Sequence, residues 1–361
     1  MGAGILLQPT GLAVLGRLGL LDAVVSRGAR VEALHCRTAR GRTLFDLHYD
    51  ALAPELFGLG SHRGALFEAL HGALDAAGVS VECQEITSVG PLSAAHDLVV
   101  VADGARSQLR AASSEILRAR PYAWGALWFV GTDPERRFGN KLSQVCEGTS
   151  KMLGFLPTGL GPRGRDVPLV SMFWSLRMDT VDGWRRAGLA PWKCAILRYA
   201  PDAGDLLEQI EDVDQVLAAS YVDGVMRRWH EPTHAVAYVG DAAHSMSPQL
   251  GQGTNLALMD AAALADCLAA QPDVPSALAE YSERRRAHVR FYQFASRWLT
   301  PLFQSGHDWL APLRDRLLPL AVRIGPIRAQ MLRTLAGVKR GVFRASLPVP
   351  SLVRSLGPRK P

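Results

Sequence analysis

The chain has no paired cysteines. Its five (Cys36, Cys83, Cys146, Cys194 and Cys267) are scattered, with no C-x-x-C among them. That spacing excludes a disulfide framework and a cysteine zinc site, and it sets a reducing, cytoplasmic compartment as the expectation. No basic residue precedes Arg17, so the apolar start lacks the charged region of a secretory signal. Leu6 stands where a myristoylation site needs Ser or Thr. No uninterrupted apolar run reaches transmembrane length. Charged residues make up only 20% of a chain that is 48% hydrophobic, a balance that excludes disorder and fits a folded protein of about two domains. There is no internal repeat and no residue pattern for a metal. No nucleic-acid reader motif accompanies the net charge of +6, so no nucleic-acid partner is expected. One further absence is a G-x-G-x-x-G turn between a strand and a helix. Gly159 to Gly164 has the spacing, but Pro162 lies inside it and Arg165, Asp166 and Pro168 follow, which is hairpin-turn chemistry.

The richest stretch present runs from Ala235 to Asp260. An apolar run with strand character, Ala235 to Val239, ends in Gly240-Asp241. A loop with Pro248, Gly251 and Gly253 follows, and then an Ala/Leu-rich helix. Glycines let a backbone approach a ligand closely, and a helix N-terminus offers unpaired N–H donors to an electron-rich group. Asp241, at a strand end, is placed to accept hydrogen bonds from sugar-like hydroxyls. A second segment, Asp97 to Arg110, repeats the order: the short apolar strand D-L-V-V-V-A of the kind buried in a parallel sheet, then Asp103-Gly104, then Arg106, Ser107 and Arg110.

Elsewhere, helical spacing predicts Gln8 to Val25 and Arg63 to Ala77, the latter stopped by Gly78. A hairpin is expected over Val31 to His48 and a strand over Val79 to Cys83. Tyr122 to Arg177, rich in Trp, Phe and Val, reads as a mostly antiparallel sheet. Asp205 to Trp229 and Tyr281 to Leu299 read as helices. The tail reads as helix broken at Pro301, Pro312, Pro319 and Gly325-Pro326.

The sequence G-D-A-A-H-x-x-x-P-x-x-G-Q-G-x-N from Gly240 to Asn255 resembles the second FAD motif of the flavin-dependent aromatic hydroxylases, the para-hydroxybenzoate hydroxylase-like family. Asp103-Gly104 resembles that family's D-G motif. Gly2 to Pro9 and the helix after His62-Arg63 are weaker matches, to a flavin-lining segment and to an R-x-x-L-x-x-x-L helix. The resemblance implies an α/β (α+β) fold: a Rossmann-like FAD-binding domain with an inserted, mostly antiparallel β substrate domain and a helical C-terminal tail. The expected division is 1–115 and 235–290 for the FAD domain, 116–234 for the substrate domain and 291–361 for the basic tail. It implies FAD held by Arg63, Asp103, Gly104, Gly240, Asp241, Pro248, Gly251, Gln252, Gly253 and Asn255, with His244 nearby. No residue is singled out as an acid, base or metal ligand. Trp124, Trp128, Phe155, Phe173 and Trp174 are expected to wall the substrate pocket.

The implied activity is that of a monooxygenase using NAD(P)H and O2 on an aromatic or other small apolar substrate through a flavin hydroperoxide. Two alternatives stand beside it: a reductase or epoxidase acting on a polyprenyl or quinone-like lipid, and a non-catalytic, FAD-deficient remnant. The second arises because the family pattern opens with a βαβ unit of about 30 to 35 residues that precedes the Gly2 segment. The expectation is an N-terminally truncated record, a GTG valine codon having been read as Met1. The tail adds a partner question. Twelve Arg and Lys residues follow residue 296, opposed only by Asp308 and Asp315. A solvated basic face and peripheral membrane contact are both open readings, as is a homodimer.

Overall fold

The computed structural model describes residues 4–342 and 346–356; Gly2 and Ala3 of the flavin-lining match, and Arg344, Arg359 and Lys360 of the basic tail, lie outside the described residues. In chain order the elements are β1 (Gly4–Leu7), α1 (Pro9–Arg17), α2 (Leu21–Arg27), β2 (Ala29–Val31), β3 (Ala33–Thr38), β4 (Thr43–His48), β5 (Gly58–His62), α3 (Arg63–Ala76), α4 (Gly90–Ala95), β6 (Val99–Val101), α5 (Gln108–Ala111), β7 (Ile116–Pro121), β8 (Trp124–Thr132), β9 (Lys141–Glu147), β10 (Lys151–Leu160), β11 (Pro168–Arg177), α6 (Val181–Ala187), α7 (Leu189–Tyr199), α8 (Gly204–Glu208), β12 (Leu217–Ala219), β13 (Val222–Met226), β14 (Val236–Tyr238), α9 (Asp241–His244), α10 (Gly253–Ala270), α11 (Val274–Phe303), α12 (Ala311–Arg323), α13 (Gly325–Leu335) and α14 (Val349–Leu356).

A seven-stranded sheet in the order β12-β8-β11-β10-β9-β3-β4 dominates, antiparallel except where β3 runs parallel to β9. One face packs on α6 to α8 through Leu127, Phe129, Phe155, Val170, Trp174, Trp184 and Trp192. Strands β6 and β14 form a two-stranded parallel ribbon, and β14 is wholly buried beneath Trp229, Leu264 and Tyr281. The small sheet β1-β5-β2 stands against β10, where Leu6 and Val31 pack on Leu156 and two glycines bring backbone against backbone. A Cβ on Gly60 would overlap the Pro157 carbonyl oxygen, and one on Gly159 (φ 72°) the Arg27 carbonyl. Only glycine permits that approach.

Several expectations change. The first helix breaks in two at Gly19 (φ 74°). Val79 to Cys83 pairs with no strand, and Val79 and Val81 are exposed; an apolar run alone does not satisfy backbone donors. Val100 of β6 is also exposed, so that strand is not fully buried. Asp205 to Trp229 is not one helix: after α8 the Val-rich run pairs as β12 with β8 and as β13 with β7. Pro301 and Pro319 sit inside α11 and α12; the breaks come between Phe303 and Ala311, with Pro312 in the first turn of α12, and at Ile324-Gly325.

Replacing Gly60 with alanine is expected to lower stability by roughly 2 kcal/mol or more, because the overlapped atom is backbone and cannot turn aside. A thermal melt against the parent chain measures it; an unchanged melting temperature contradicts the packing described.

Candidate active site

Buried β14 delivers the chain to Gly240, whose φ of 57° turns it sharply. The Gly240 N–H donates to Asp260 Oδ2 at 2.9 Å. Asp260 is fully buried on α10, where it also meets His244 Nε2 and accepts from Arg285 Nε at 2.7 Å. Arg285 reaches on to His288 Nδ1 (2.7 Å), and His288 Nε2 donates to the Gly337 carbonyl (2.7 Å). Burial alone would raise the Asp260 carboxyl; the neighbouring His244 and Arg285 overcome that and hold it well below the carboxylate range. Burial, reinforced by Arg285, pushes the His288 imidazole down to about 3.

The next turn of chain, Pro248 to Leu250, ends at Gly251 in the left-handed region (φ 59°, ψ 31°), and α10 begins at Gly253. No side chain caps α10, so its first-turn N–H groups remain available. Nothing lies closer than 3.7 Å to a Cβ built on Gly251 or Gly253, and the nearest atom to the latter is Asp241 Oδ1. The Asp241 carboxylate is solvent-accessible yet closely surrounded by protein, as on the floor of a cleft; that surrounding raises it, against the pull of His244, Arg110 and Arg63.

A single guanidinium joins the two acid–glycine segments. Buried Arg110 donates from Nη1 to the carbonyls of Asp241 (2.9 Å) and Ala242 (3.0 Å) and from Nη2 to that of Ala105 (2.6 Å). Ser107 Oγ caps α5 by accepting from the Arg110 N–H at 2.8 Å. Asp103 and Gly104 (φ 85°) are open to solvent beside it, and Asp103 is in electrostatic range of Arg110. Arg63, exposed at the start of α3, makes no hydrogen bond or ion pair among the described residues while its charge acts on Asp241.

The structure therefore brings the Asp241 carboxylate within range of Arg63, Arg110 and open Gly253, and Asp103-Gly104 to the other side of Arg110; Gly240 is buried behind Asp241, while Gly251 is open and Pro248 exposed just before α10. Two expected site residues turn their side chains away. Buried Asn255 accepts from the Gln8 N–H (2.8 Å) and donates to the carbonyls of Leu6 (3.1 Å) and Gly251 (3.0 Å). Gln252 donates to the Leu335 carbonyl at 2.8 Å. They can shape the loop and offer it backbone groups. His244 likewise points inward, to Asp260.

Sequence reasoning carried Gln8 only as part of the Gly2 to Pro9 match and gave its side chain no role. Its Oε1 accepts from Tyr49 Oη at 2.6 Å, while its buried Nε2 has no partner and lies 4.0 Å from the open Cβ direction of Gly251. The Asp260–Arg285–His288 chain was also missed; its members lie up to 28 residues apart and share no local pattern. Of the expected aromatic wall, Phe155 and Trp174 belong to the core under α6 to α8. Trp128 and Phe173 occupy the opposite sheet face, their rings tilted with centroids 5.1 Å apart, and Trp128 Nε1 donates to Tyr221 Oη at 3.1 Å. Among the described residues no cluster could hold a metal ion.

The uncapped helix, the open glycines, the unpartnered Gln8 Nε2 and the exposed acids fit a large ligand carrying hydroxyls and electron-rich oxygens. FAD is such a group. A family profile described as FAD binding domain matches residues 75–293. The chain belongs to that family, as an FAD-dependent monooxygenase. It is 28% identical to the 3-amino-4-hydroxybenzoate 2-monooxygenase of Streptomyces cremeus, over 79% of this chain and 74% of that one. It is 30% identical to the 3-hydroxy-4-methyl-anthranilyl-[aryl-carrier protein] 5-monooxygenase of Streptosporangium sibiricum, over 76% and 67%. The tetrameric form of 2-methyl-3-hydroxypyridine-5-carboxylic acid oxygenase superposes with a TM-score of 0.70 at 21% identity, covering 89% of this chain and 87% of that one. Flavoprotein fold, FAD as cofactor and oxidoreductase class follow from the family, for which NAD(P)H is the usual co-substrate.

Acid should loosen the site from behind. An unfolded imidazole takes its proton near 6.5, whereas His288 resists until about 3, so the native state loses stability as pH falls from 6.5 toward 3. Asp260, held low, adds a further loss as pH drops through the ordinary carboxylate range. A His288→Gln chain should show a flatter melting-temperature profile between those pH values; an unchanged slope contradicts the assignment. Asp260→Asn, which leaves Arg285 as an uncompensated buried charge, should cost roughly 3 kcal/mol or more.

Proposed function

We propose that this chain hydroxylates a small aromatic substrate bearing hydroxyl or amino groups, with FAD seated between Arg63, Asp103-Gly104 and the Gly240–Gly253 loop. The observation that supports this most is the bare N-terminus of α10, with Gly251 and Gly253 open above it and Asp241 beside it. Bound FAD would supply the redox chemistry, with NAD(P)H as the reductant and O2 as the source of one oxygen atom for the substrate and one for water. The protein supplies the rest. Asp241 and Asp103 accept hydrogen bonds from ribityl and ribose hydroxyls. The N–H groups of Gln252 and Gly253, with Gln8 Nε2, meet negative charge on the ring system, as oxyanion-hole donors do. Trp128 and Phe173 present an apolar, ring-stacking wall that excludes water from the substrate side.

The domain division that goes with this reading is 1–115 with 235–290, 116–234, and 291–361. The hairpin of β3 and β4 crosses from the first part into the large sheet. The compartment is the cytoplasm, in keeping with five free cysteines. No helix among the described residues is long and apolar enough to cross a membrane. Partner contact is peripheral, through the basic C-terminal region; homodimerisation is the competing reading.

Asp241→Ala should weaken FAD binding about 10- to 100-fold, the equivalent of one or two hydrogen bonds to a charged group. Gly253→Val should abolish it by filling the approach. Both should leave the melting temperature of the flavin-free protein nearly unchanged. Flavin absorbance after gel filtration and a fluorescence titration read this out. Retention of flavin by both variants would place the cofactor elsewhere.

A further inference from the structure

Helix α12 carries two apolar stripes where one suffices. Its inner stripe is Ala311, Leu318 and Val322, fixed in orientation by buried Arg314, which donates to the Leu302 carbonyl at 2.6 Å and lies over the Phe303 ring. Leu313, Leu317, Leu320 and Ile324 recur at spacings of 4, 3 and 4 on the opposite side, and each is about half exposed. Trp309, 73% exposed, stands just before the helix. A core helix has no use for this second stripe, and a solvated one is disfavoured by it.

Charge decides what the stripe fits. Arg316 and Arg323, seven residues apart, run along one edge of it, and both are exposed without an ion pair among the described residues. The two acids of the tail are occupied: Asp308 accepts from the Thr149 N–H at 2.8 Å, and Asp315 pairs with Arg314 at 2.7 Å. The face therefore presents hydrocarbon and uncompensated positive charge together. A second copy docked symmetrically would set these arginines against their own like charges.

We infer that this face of α12, with Trp309 at its end, lies on an anionic lipid surface, its leucines among the acyl chains and Arg316 and Arg323 at the headgroups. The inference rests on the peripheral-contact reading and gives it a surface and a lipid chemistry. Aliphatic residues on one side and arginines at the rim are the arrangement by which a helix lies in an interface without crossing it. The aromatic ring of Trp309 suits the headgroup level.

The test is co-sedimentation of the full flavin-loaded chain with vesicles of phosphatidylcholine alone or with about 30% phosphatidylglycerol, whose negative surface potential attracts basic segments. The chain should bind the anionic vesicles at least tenfold more tightly, and added salt should weaken that binding. Leu313→Glu/Leu317→Glu/Leu320→Glu should lose it, and Arg316→Glu/Arg323→Glu should reduce it at least tenfold. Flavin content and melting temperature, which neither stripe nor rim governs, report that the variants are folded. Should the triple variant misfold, Leu317→Glu alone with Trp309→Ala carries the same comparison. No binding by the parent chain overturns both this surface and the peripheral contact. Binding that the variants retain overturns the surface alone. A parent dimer in sedimentation velocity that Leu317→Glu dissociates assigns the face to a second copy instead.

Discussion

The buried carboxylate of Asp260 is the constraint on which the rest of the site depends. It sits at zero exposure with two cationic or proton-bearing neighbours and one backbone donor, Gly240 N–H. Each of those partners belongs to a different structural unit: the strand-end turn, the short helix of His244, and the long helix α11. A charge removed from water must be paired by groups held in place, and the pairing in turn fixes those groups. The cleft in front of Asp260 keeps its shape because the wall behind it admits one arrangement.

Arg110 plays the corresponding part on the other side. Three backbone carbonyls from two separate loops converge on its guanidinium, so Asp103 and Asp241 face the same space although 138 residues separate them in sequence. Fixed cations thus lie behind both loops while free N–H groups and open carboxylates lie in front. That asymmetry suits the proposed seat of a flavin, which carries both hydroxyls and an electron-rich ring.

The sequence made the front of the site legible and left the back hidden. Glycines beside a helix start, and an acid at a strand end, act through local geometry, so their order along the chain carries their meaning. Asp260, Arg285 and His288 act across helices, and nothing in their spacing announces it. The same division explains the fold. The hairpin at 33–48 and the sheet from Trp124 to Arg177 follow local alternation. The Val-rich stretch after Glu208 took strand form only because β8 and β7 were there to pair with it. Gln252 and Asn255 match the motif by identity, yet their side chains serve Leu335, Leu6 and Gly251.

That last bond, from Gln252 to Leu335, has a companion in the one from His288 to Gly337. The first ties the far end of α13 to the glycine loop, and the second ties the chain just beyond α13 to α11, behind Asp260. Tail and cofactor loop are therefore a single mechanical piece. Free energy spent ordering one end is shared by the other, and the sharing is reciprocal. A ligand that steadies the loop quiets the tail. A surface that gripped the tail, as inferred for α12, would pass part of that constraint to the loop through the same contacts.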